Sequence, residues 1–280
     1  MTRIAIIGGG NIGEALLSGL INADNGMSAK DITVVDPSQG RIDTLRERYG
    51  VTVSTEGSEA ADDADYIVVA VKPHITLPVL EGIADTVEGN DNDTVVVSVA
   101  AGVTIAAMEG VLPVGTPVVR VMPNTPMLVG KGVCAVAGGR FSDDEQVEAV
   151  RSLLEAVGTA VTVAEKDIDA VTAVSGSGPA YLFLVAEAMV DAGVNLGLPR
   201  DRATTLAAGT IEGAAAMITA GEDDPSTLRA KVTSPGGTTS AGVRALEENG
   251  LRSAFFRALQ AAHDRSVELG RPADRDGDDS

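Results

Sequence analysis

Cysteine is nearly absent from this sequence. The single Cys134 excludes an intrachain disulfide. Its apolar, strand-like surroundings predict a buried structural thiol, not a nucleophile. Histidine is almost as scarce. His74 and His263 stand far apart, so no metal-ligand spacing exists and no metal is expected. His74 follows a Lys-Pro turn and is a candidate to line a site, while His263 falls in a helical stretch and is expected at the surface. Lysines number only five against 40 acidic residues, and the net charge is −19. Such a surface repels nucleic acid and anionic membranes. The acid excess reads as adaptation to high salt, where counterions screen self-repulsion. Long hydrophobic runs are missing too. The longest, such as 66–71 and 95–101, fall far short of the roughly 18 residues of a membrane helix. Glycines 8–10 and Asn11 interrupt the first apolar segment at once, which argues against a signal peptide. The expectation is a soluble, cytoplasmic protein.

What is present begins with a turn at 234–239, Ser-Pro-Gly-Gly-Thr-Thr. Pro235 cannot continue a helix, and Gly236 and Gly237 leave the backbone bare. Thr238 or Thr239 is expected to cap the helix that begins near Ala241. A glycine turn feeding a helix N-terminus aims free N–H groups at one spot, and the helix dipole favours an anion there. The turn is therefore either an ordinary helix cap or the holder of a substrate carboxylate.

Near the start, residues 3–7 read as a buried strand. Gly8-x-Gly10-x-x-Gly13 follows and opens a helical pattern from Glu14. Strand before and helix after is the context in which this motif signals dinucleotide binding. The first glycine allows the tight turn, the second lets backbone approach a pyrophosphate, and the third lets helix and strand pack closely. A second strand, 32–36, ends on Asp36. An acid there accepts from ribose hydroxyls and favours NAD, yet Ser38 and Arg41 lie just beyond, where a 2′-phosphate would sit. NAD against NADP stays open.

Strand and helix then alternate. Expected strands are 51–53, 64–71, 95–99, 117–122, 132–136 and 159–163, with a helix at 142–156 before the last. Lys72 stands at the C-terminal edge of a strand, where open α/β sheets place ligands, and Pro73 opens the next helix. Ala100 and Ala101 are small enough for a flat ring to approach. Thr104 is a candidate helix cap. Asn124, between two prolines, is either a turn residue or a hydrogen-bonding partner of nicotinamide or substrate. Repeated βα units imply a doubly wound, mostly parallel Rossmann-like sheet over 1–163. From 164 to 270 alanine- and leucine-rich periodicity replaces the β-branched runs. Expected there are a break and recap at 175–179 and helices at 180–192, 200–219, 241–248 and 252–269. The small-residue helix 200–219 suits a helix–helix interface between subunits. The acidic tail 271–280 is expected to be disordered.

The motifs offer no nucleophile with an adjacent base, no metal cluster and no second phosphate loop. Hydride transfer carried by a nicotinamide cofactor is the chemistry that remains. An alcohol dehydrogenase needs a general base for the hydroxyl proton, and no conspicuous one stands in these motifs. An imine nitrogen is basic enough to arrive protonated, so C=N reduction is favoured over C=O.

The chain resembles pyrroline-5-carboxylate reductase over nearly its whole length, the acidic tail excepted. The resemblance rests on Gly8-x-Gly10-x-x-Gly13-Glu14-Ala15, Ala70-Val71-Lys72-Pro73, Val99-Ala100-Ala101-Gly102-Val103, Arg120-Val121-Met122-Pro123-Asn124-Thr125-Pro126, Asp169-Ala170-Val171-Thr172, Ser175-Gly176-Ser177-Gly178-Pro179 and Val232-Thr233-Ser234-Pro235-Gly236-Gly237-Thr238-Thr239. It implies a Rossmann domain followed by an all-helical dimerisation domain, as in 6-phosphogluconate-dehydrogenase-like folds. It further implies a homodimer or higher homo-oligomer and reduction of 1-pyrroline-5-carboxylate to L-proline by NADPH or NADH. By position, Gly8, Gly10, Asn11, Ile12 and Gly13 would serve the pyrophosphate. Asp36 and Ser38 would stand near the adenosine ribose, and Ala70, Val71, Lys72, Pro73, Ala100 and Ala101 along the cofactor. Thr238 and Thr239, with Gly237 beside them, would hold the substrate carboxylate through backbone N–H groups. The Thr239 hydroxyl would lie near the ring nitrogen, Ser234 in the pocket wall and Glu165 near the substrate. Asp36, Gly57 and Lys231 depart from residues that members often carry, which bears on cofactor preference.

Two rivals stand beside this reading. Dehydrogenases of 3-hydroxy acids share the two-domain plan but place a catalytic lysine on the helix after a glycine-serine turn; here Ala180-Tyr181-Leu182-Phe183 follows it. A nucleotide-binding regulator without catalysis would have no use for an intact 234–239 turn.

Overall fold

The computed structural model describes residues 2–23, 27–90 and 93–271. The tail expected to be disordered lies outside them from residue 272 onward. The chain forms two compact units, Met1–Ser177 with Ala262–Ser280, and Gly178–Ala261.

In the first unit eight strands alternate with helices: β1 (Ile4–Ile7), α1 (Asn11–Asn22), β2 (Ile32–Val35), α2 (Gln39–Tyr49), β3 (Thr52–Ser54), α3 (Gly57–Ala61), β4 (Tyr66–Val69), α4 (Pro73–Gly89), β5 (Val95–Ser98), α5 (Ile105–Glu109), β6 (Val118–Met122), β7 (Gly132–Gly138), α6 (Asp144–Leu154), β8 (Gly158–Thr162) and α7 (Ile168–Val171). The sheet order is β3-β2-β1-β4-β5-β6-β7-β8. Every neighbouring pair is parallel except β6 and β7, where Val121 faces Val136 in antiparallel register. Ile4 pairs with Ile32 on one side and Tyr66 on the other. The strands are apolar on both faces because helices cover both. Ile4, Ile6, Val34 and Val97 bury one way with Leu16 and Leu17 of α1. Ala5, Ile7, Val69 and Val96 bury the other way with Leu80 and Ile83 of α4. The doubly wound sheet expected from the alternating pattern is therefore present.

The second unit is all helical: α8 (Gly178–Asn195), α9 (Arg200–Thr219), α10 (Pro225–Lys231), α11 (Thr238–Glu248) and most of α12 (Leu251–Leu269). Tyr181 of α8 meets Phe255 of α12 edge to face, ring centroids 6.5 Å apart.

Ile168 and Val171 of α7 pack into the sheet's core, and the first compact unit runs on to Ser177. Two expectations are corrected. Residues 175–179 are not a break and recap: Thr172–Gly176 is a π-helical turn that runs almost directly into α8. Helix α8 also passes Gly193 and ends at Asn195. Helix α10 was not expected. Its start is set by Asp224, whose carboxylate accepts the N–H groups of Ser226 and Thr227, with Pro225 in the first turn.

Candidate active site

The turn between β1 and α1 shows why its glycines are needed. Gly8 has φ +113°, and a Cβ there would meet the carbonyl of Ala70 at 2.6 Å. A Cβ on Gly13 would lie 1.9 Å from the Gly8 carbonyl oxygen, so only glycine lets α1 close onto the end of β1. At Gly10 an added Cβ meets nothing within 4 Å. Gly10 is also the N-cap of α1, and no side chain caps it. The first-turn N–H groups of a twelve-residue helix thus point into open space beside bare backbone. That geometry fits a pyrophosphate, placed at the positive end of the helix dipole.

Beside this turn lies a cleft of about 690 Å³ at the C-terminal edge of the sheet. Gly8, Gly10, Asp36, Ala70, Val71 and Lys72 line it, and so does His74. Lys72 is the N-cap of α4, with Pro73 in the first helical position. Asn11 and Ile12 begin α1, and Gly13 is buried beneath the turn. Ser38 is the exposed N-cap of α2, and its N–H donates to Asp36 Oδ1 at 2.9 Å. Ala100 and Ala101 follow β5, where Ser98 Oγ accepts the Ala100 N–H at 3.3 Å. The cleft also takes in Thr55, Glu56 and Ser58, which sequence reasoning missed. The available signal was positional: they follow the C-terminal end of β3, on the same ligand-bearing edge.

Three polar side chains are committed to the fold. Thr104 caps α5 by accepting the Ala107 N–H at 3.2 Å, as expected. Asn124 is nearly buried, donates to the Ser175 carbonyl at 3.0 Å and accepts the Val133 N–H at 2.8 Å. That makes it a turn residue, with its amide engaged by main chain on both sides. Glu165 Oε1 accepts the Ile105 N–H at 2.7 Å and pairs with Arg120 Nη1 at 3.1 Å. Cys134 is buried in β7, and burial pushes its thiol up to about 11. His263 is half-buried, with Nδ1 3.3 Å from Asp264.

In the second unit, the 234–239 turn does not form the expected threonine cap. Gly236 sits at φ +72°, and the Gly237 N–H donates to the Ser234 carbonyl at 3.1 Å. Gly237 is the N-cap of α11, with no side-chain hydrogen bond, so Thr238 and Thr239 are the first two residues of the helix rather than its caps. Their N–H groups belong to the first turn, which has no intrahelical acceptor. Ser234, Thr238 and Thr239 are exposed. Among the described residues no group of three or more His, Cys, Asp or Glu is placed to hold a metal ion.

Residues 165–269 match the family model described as pyrroline-5-carboxylate reductase dimerisation, and residues 3–102 match that of a coenzyme F420-dependent NADP oxidoreductase. A pyrroline-5-carboxylate reductase of Corynebacterium melassecola is 56% identical over 97% of this chain and 100% of its own length. The solved reductase of Coxiella burnetii superposes with a TM-score of 0.91 at 38% identity, covering 97% of this chain and 99% of that one. The Plasmodium falciparum enzyme, solved with NADP bound, gives 0.84 at 30% identity over 96% and 98% of the two chains. The helical span Glu165–Asn195, 31 residues long, is long and apolar enough to cross a membrane, with little of it buried. Short apolar runs in the sequence did not reveal this. The span falls at the start of the dimerisation match. A dinucleotide turn, a bare-backbone helix N-terminus in a helical unit and full-length similarity all agree: the chain belongs to the pyrroline-5-carboxylate reductase family.

Proposed function

We propose that this chain reduces the C=N bond of 1-pyrroline-5-carboxylate to give L-proline, the closing step of proline biosynthesis, with NADPH or NADH as reductant. The reading rests on similarity that covers both units from end to end, so that the cofactor turn and the 234–239 turn come as a set. The dihydronicotinamide, when bound, supplies a hydride to C5 of the ring.

The protein's own part is binding and orientation. The uncapped start of α1, with Gly8, Gly10, Asn11 and Ile12, holds the pyrophosphate, while Gly13 permits that approach. Asp36 and Ser38 face the adenosine ribose. Ala70, Val71, Lys72, Pro73, Ala100 and Ala101 line the path of the cofactor. Gly237, Thr238 and Thr239 hold the substrate carboxylate at the start of α11, with Ser234 in the pocket wall and Glu165 near the substrate. The Thr239 hydroxyl accepts a hydrogen bond from the protonated imine nitrogen and keeps the ring in line. The iminium needs no further acid: one hydride converts it to the neutral amine.

In functional terms residues 1–163 carry the cofactor, and 164–270 carry the substrate and the subunit contact. The enzyme works as a soluble homo-oligomer in the cytoplasm. The deciding experiment is an NAD(P)H oxidation assay with pyrroline-5-carboxylate, run in concentrated salt with each cofactor. Substrate-dependent oxidation is expected, and its absence with both cofactors would overturn the reading.

A further inference from the structure

The end of the cleft that receives the adenosine ribose contains a selecting arrangement. Asp36 lines the cleft. Its Oδ2 accepts the Gly9 N–H at 3.0 Å and its Oδ1 accepts the Ser38 N–H at 2.9 Å. Two main-chain donors therefore pin the carboxylate. Each oxygen keeps a lone pair free for a hydroxyl.

Arg41, the cation that a 2′-phosphate would need here, points elsewhere. It does not line the cleft. Its Nε donates to the Gly9 carbonyl, and its Nη2 is ion-paired with Glu14. Glu14 is held in turn: Arg48 Nη1 donates to its Oε1 at 2.8 Å and the Tyr49 hydroxyl at 2.9 Å. The pair is sheltered, with the Arg41 and Glu14 side chains 27% and 17% exposed. The Arg41 hydrogen bond leads in holding the Glu14 carboxyl below its usual range, so the acid stays ionised and the latch stays shut. Glu56 adds a second carboxylate to the cleft. Lys72, the lysine that lines it, is the N-cap of α4, beyond the end of β4 and not beside β2.

We infer that pinned Asp36, together with Arg41 latched onto Glu14, selects a dinucleotide whose adenosine ribose carries a free 2′-hydroxyl, NADH over NADPH. The inference rests on the placement of the ribose beside Asp36 in the reading above. A hydroxyl donates to either Asp36 oxygen. A 2′-phosphate brings close to two negative charges at neutral pH against a carboxylate that cannot swing away, and the described residues lining the cleft include no arginine to neutralise it. Glu14 acts through Arg41 and is a positioning residue for specificity.

The test measures dissociation constants of NADH and NADPH by calorimetry on the intact enzyme, alongside kcat/KM with each. Wild type is expected to favour NADH by about tenfold or more. Arg41→Ala alone is expected to change NADPH affinity by less than about twofold, since the latched arginine does not reach the phosphate. Glu14→Gln releases it, so NADPH affinity rises several-fold, and the gain disappears in Glu14→Gln/Arg41→Ala. Asp36→Asn, which keeps the side chain's size, raises NADPH affinity relative to NADH by an independent route. Equal or tighter NADPH binding by wild type overturns the inference, as does a large loss of NADPH affinity in Arg41→Ala alone. Binding without turnover of the imine would sink the reductase reading while the affinities still decide this one.

Discussion

Glu165→Ala is expected to destabilise the sheet-bearing unit through an orphaned charge, and the structure gives the size. One carboxylate oxygen serves two partners, the Ile105 N–H at 2.7 Å and Arg120 Nη1 at 3.1 Å. Arg120 lies in β6, with its side chain 7% exposed against 33% for Glu165. Breaking a buried pair by removing one partner costs about 3–5 kcal/mol, because the remaining charge stays behind unpaired. Water reaches Glu165 and lowers that figure, while the amide left at the start of α5 adds roughly 1 kcal/mol. A net loss of about 3 kcal/mol corresponds to a drop in Tm of roughly 6–12 °C for a unit of this size. Scanning calorimetry on the purified chain measures it. Glu165→Gln keeps an acceptor oxygen for Ile105 and a dipole toward Arg120, so it should lose clearly less. Arg120→Met in the Glu165→Ala background should recover much of the loss, because an apolar pair no longer buries a lone charge. A loss below about 1 kcal/mol in Glu165→Ala, or no recovery in the double variant, would refute the reasoning.

Thr239→Ala should lower kcat/KM by roughly 1–3 kcal/mol in transition-state terms, the scale of one hydrogen bond to a charged group, and steady-state kinetics would check it. Cys134 should resist thiol reagents in the native state until unfolding exposes it, since the thiol is buried and ionises only near 11. The sign for stability follows. An unfolded thiol loses its proton near 9.0 and the folded one near 11, so this group withdraws stability as pH rises through that window; Cys134→Val should flatten that part of the stability curve. With a net charge of −19, the fold should gain stability between dilute and molar salt, and a Tm that does not move would remove the high-salt reading.

How much was legible in the sequence depends on how local the signal was. Strands and helices of the first unit follow from apolar runs separated by turn residues. The dinucleotide turn follows from glycine spacing, because the Gly8–Gly13 contact lies within one turn of chain. The misses arise from contacts between distant residues. Arg120 and Glu165 stand 45 positions apart, and Asn124 and Ser175 stand 51 apart. No pattern in either neighbourhood announces its partner. The expected caps at Thr238 and Thr239 failed for a different reason. Threonine is a good cap, but Gly237 already adopts the extended backbone of the cap position, which starts the helix one residue earlier than a Thr238 cap would and two earlier than a Thr239 cap. The cofactor question stayed open because Asp36, Ser38 and Arg41 all suit a ribose pocket. The bonds from Arg41 to the Gly9 carbonyl and to Glu14 show which way the arginine turns.

Helix α12 begins in the helical unit, yet its last residues belong to the sheet-bearing one. Ser266 Oγ donates to Asp169 Oδ1 at 2.6 Å, and Leu269 packs on the turn at Gly102. Asp169 leaves the ribosome 97 residues before its partner. All eight strands and the whole helical unit are therefore made before the chain that completes the first unit exists. A nascent or C-terminally shortened chain carries a nearly finished sheet with that patch uncovered. This long loop closure should slow the final folding step of the first unit.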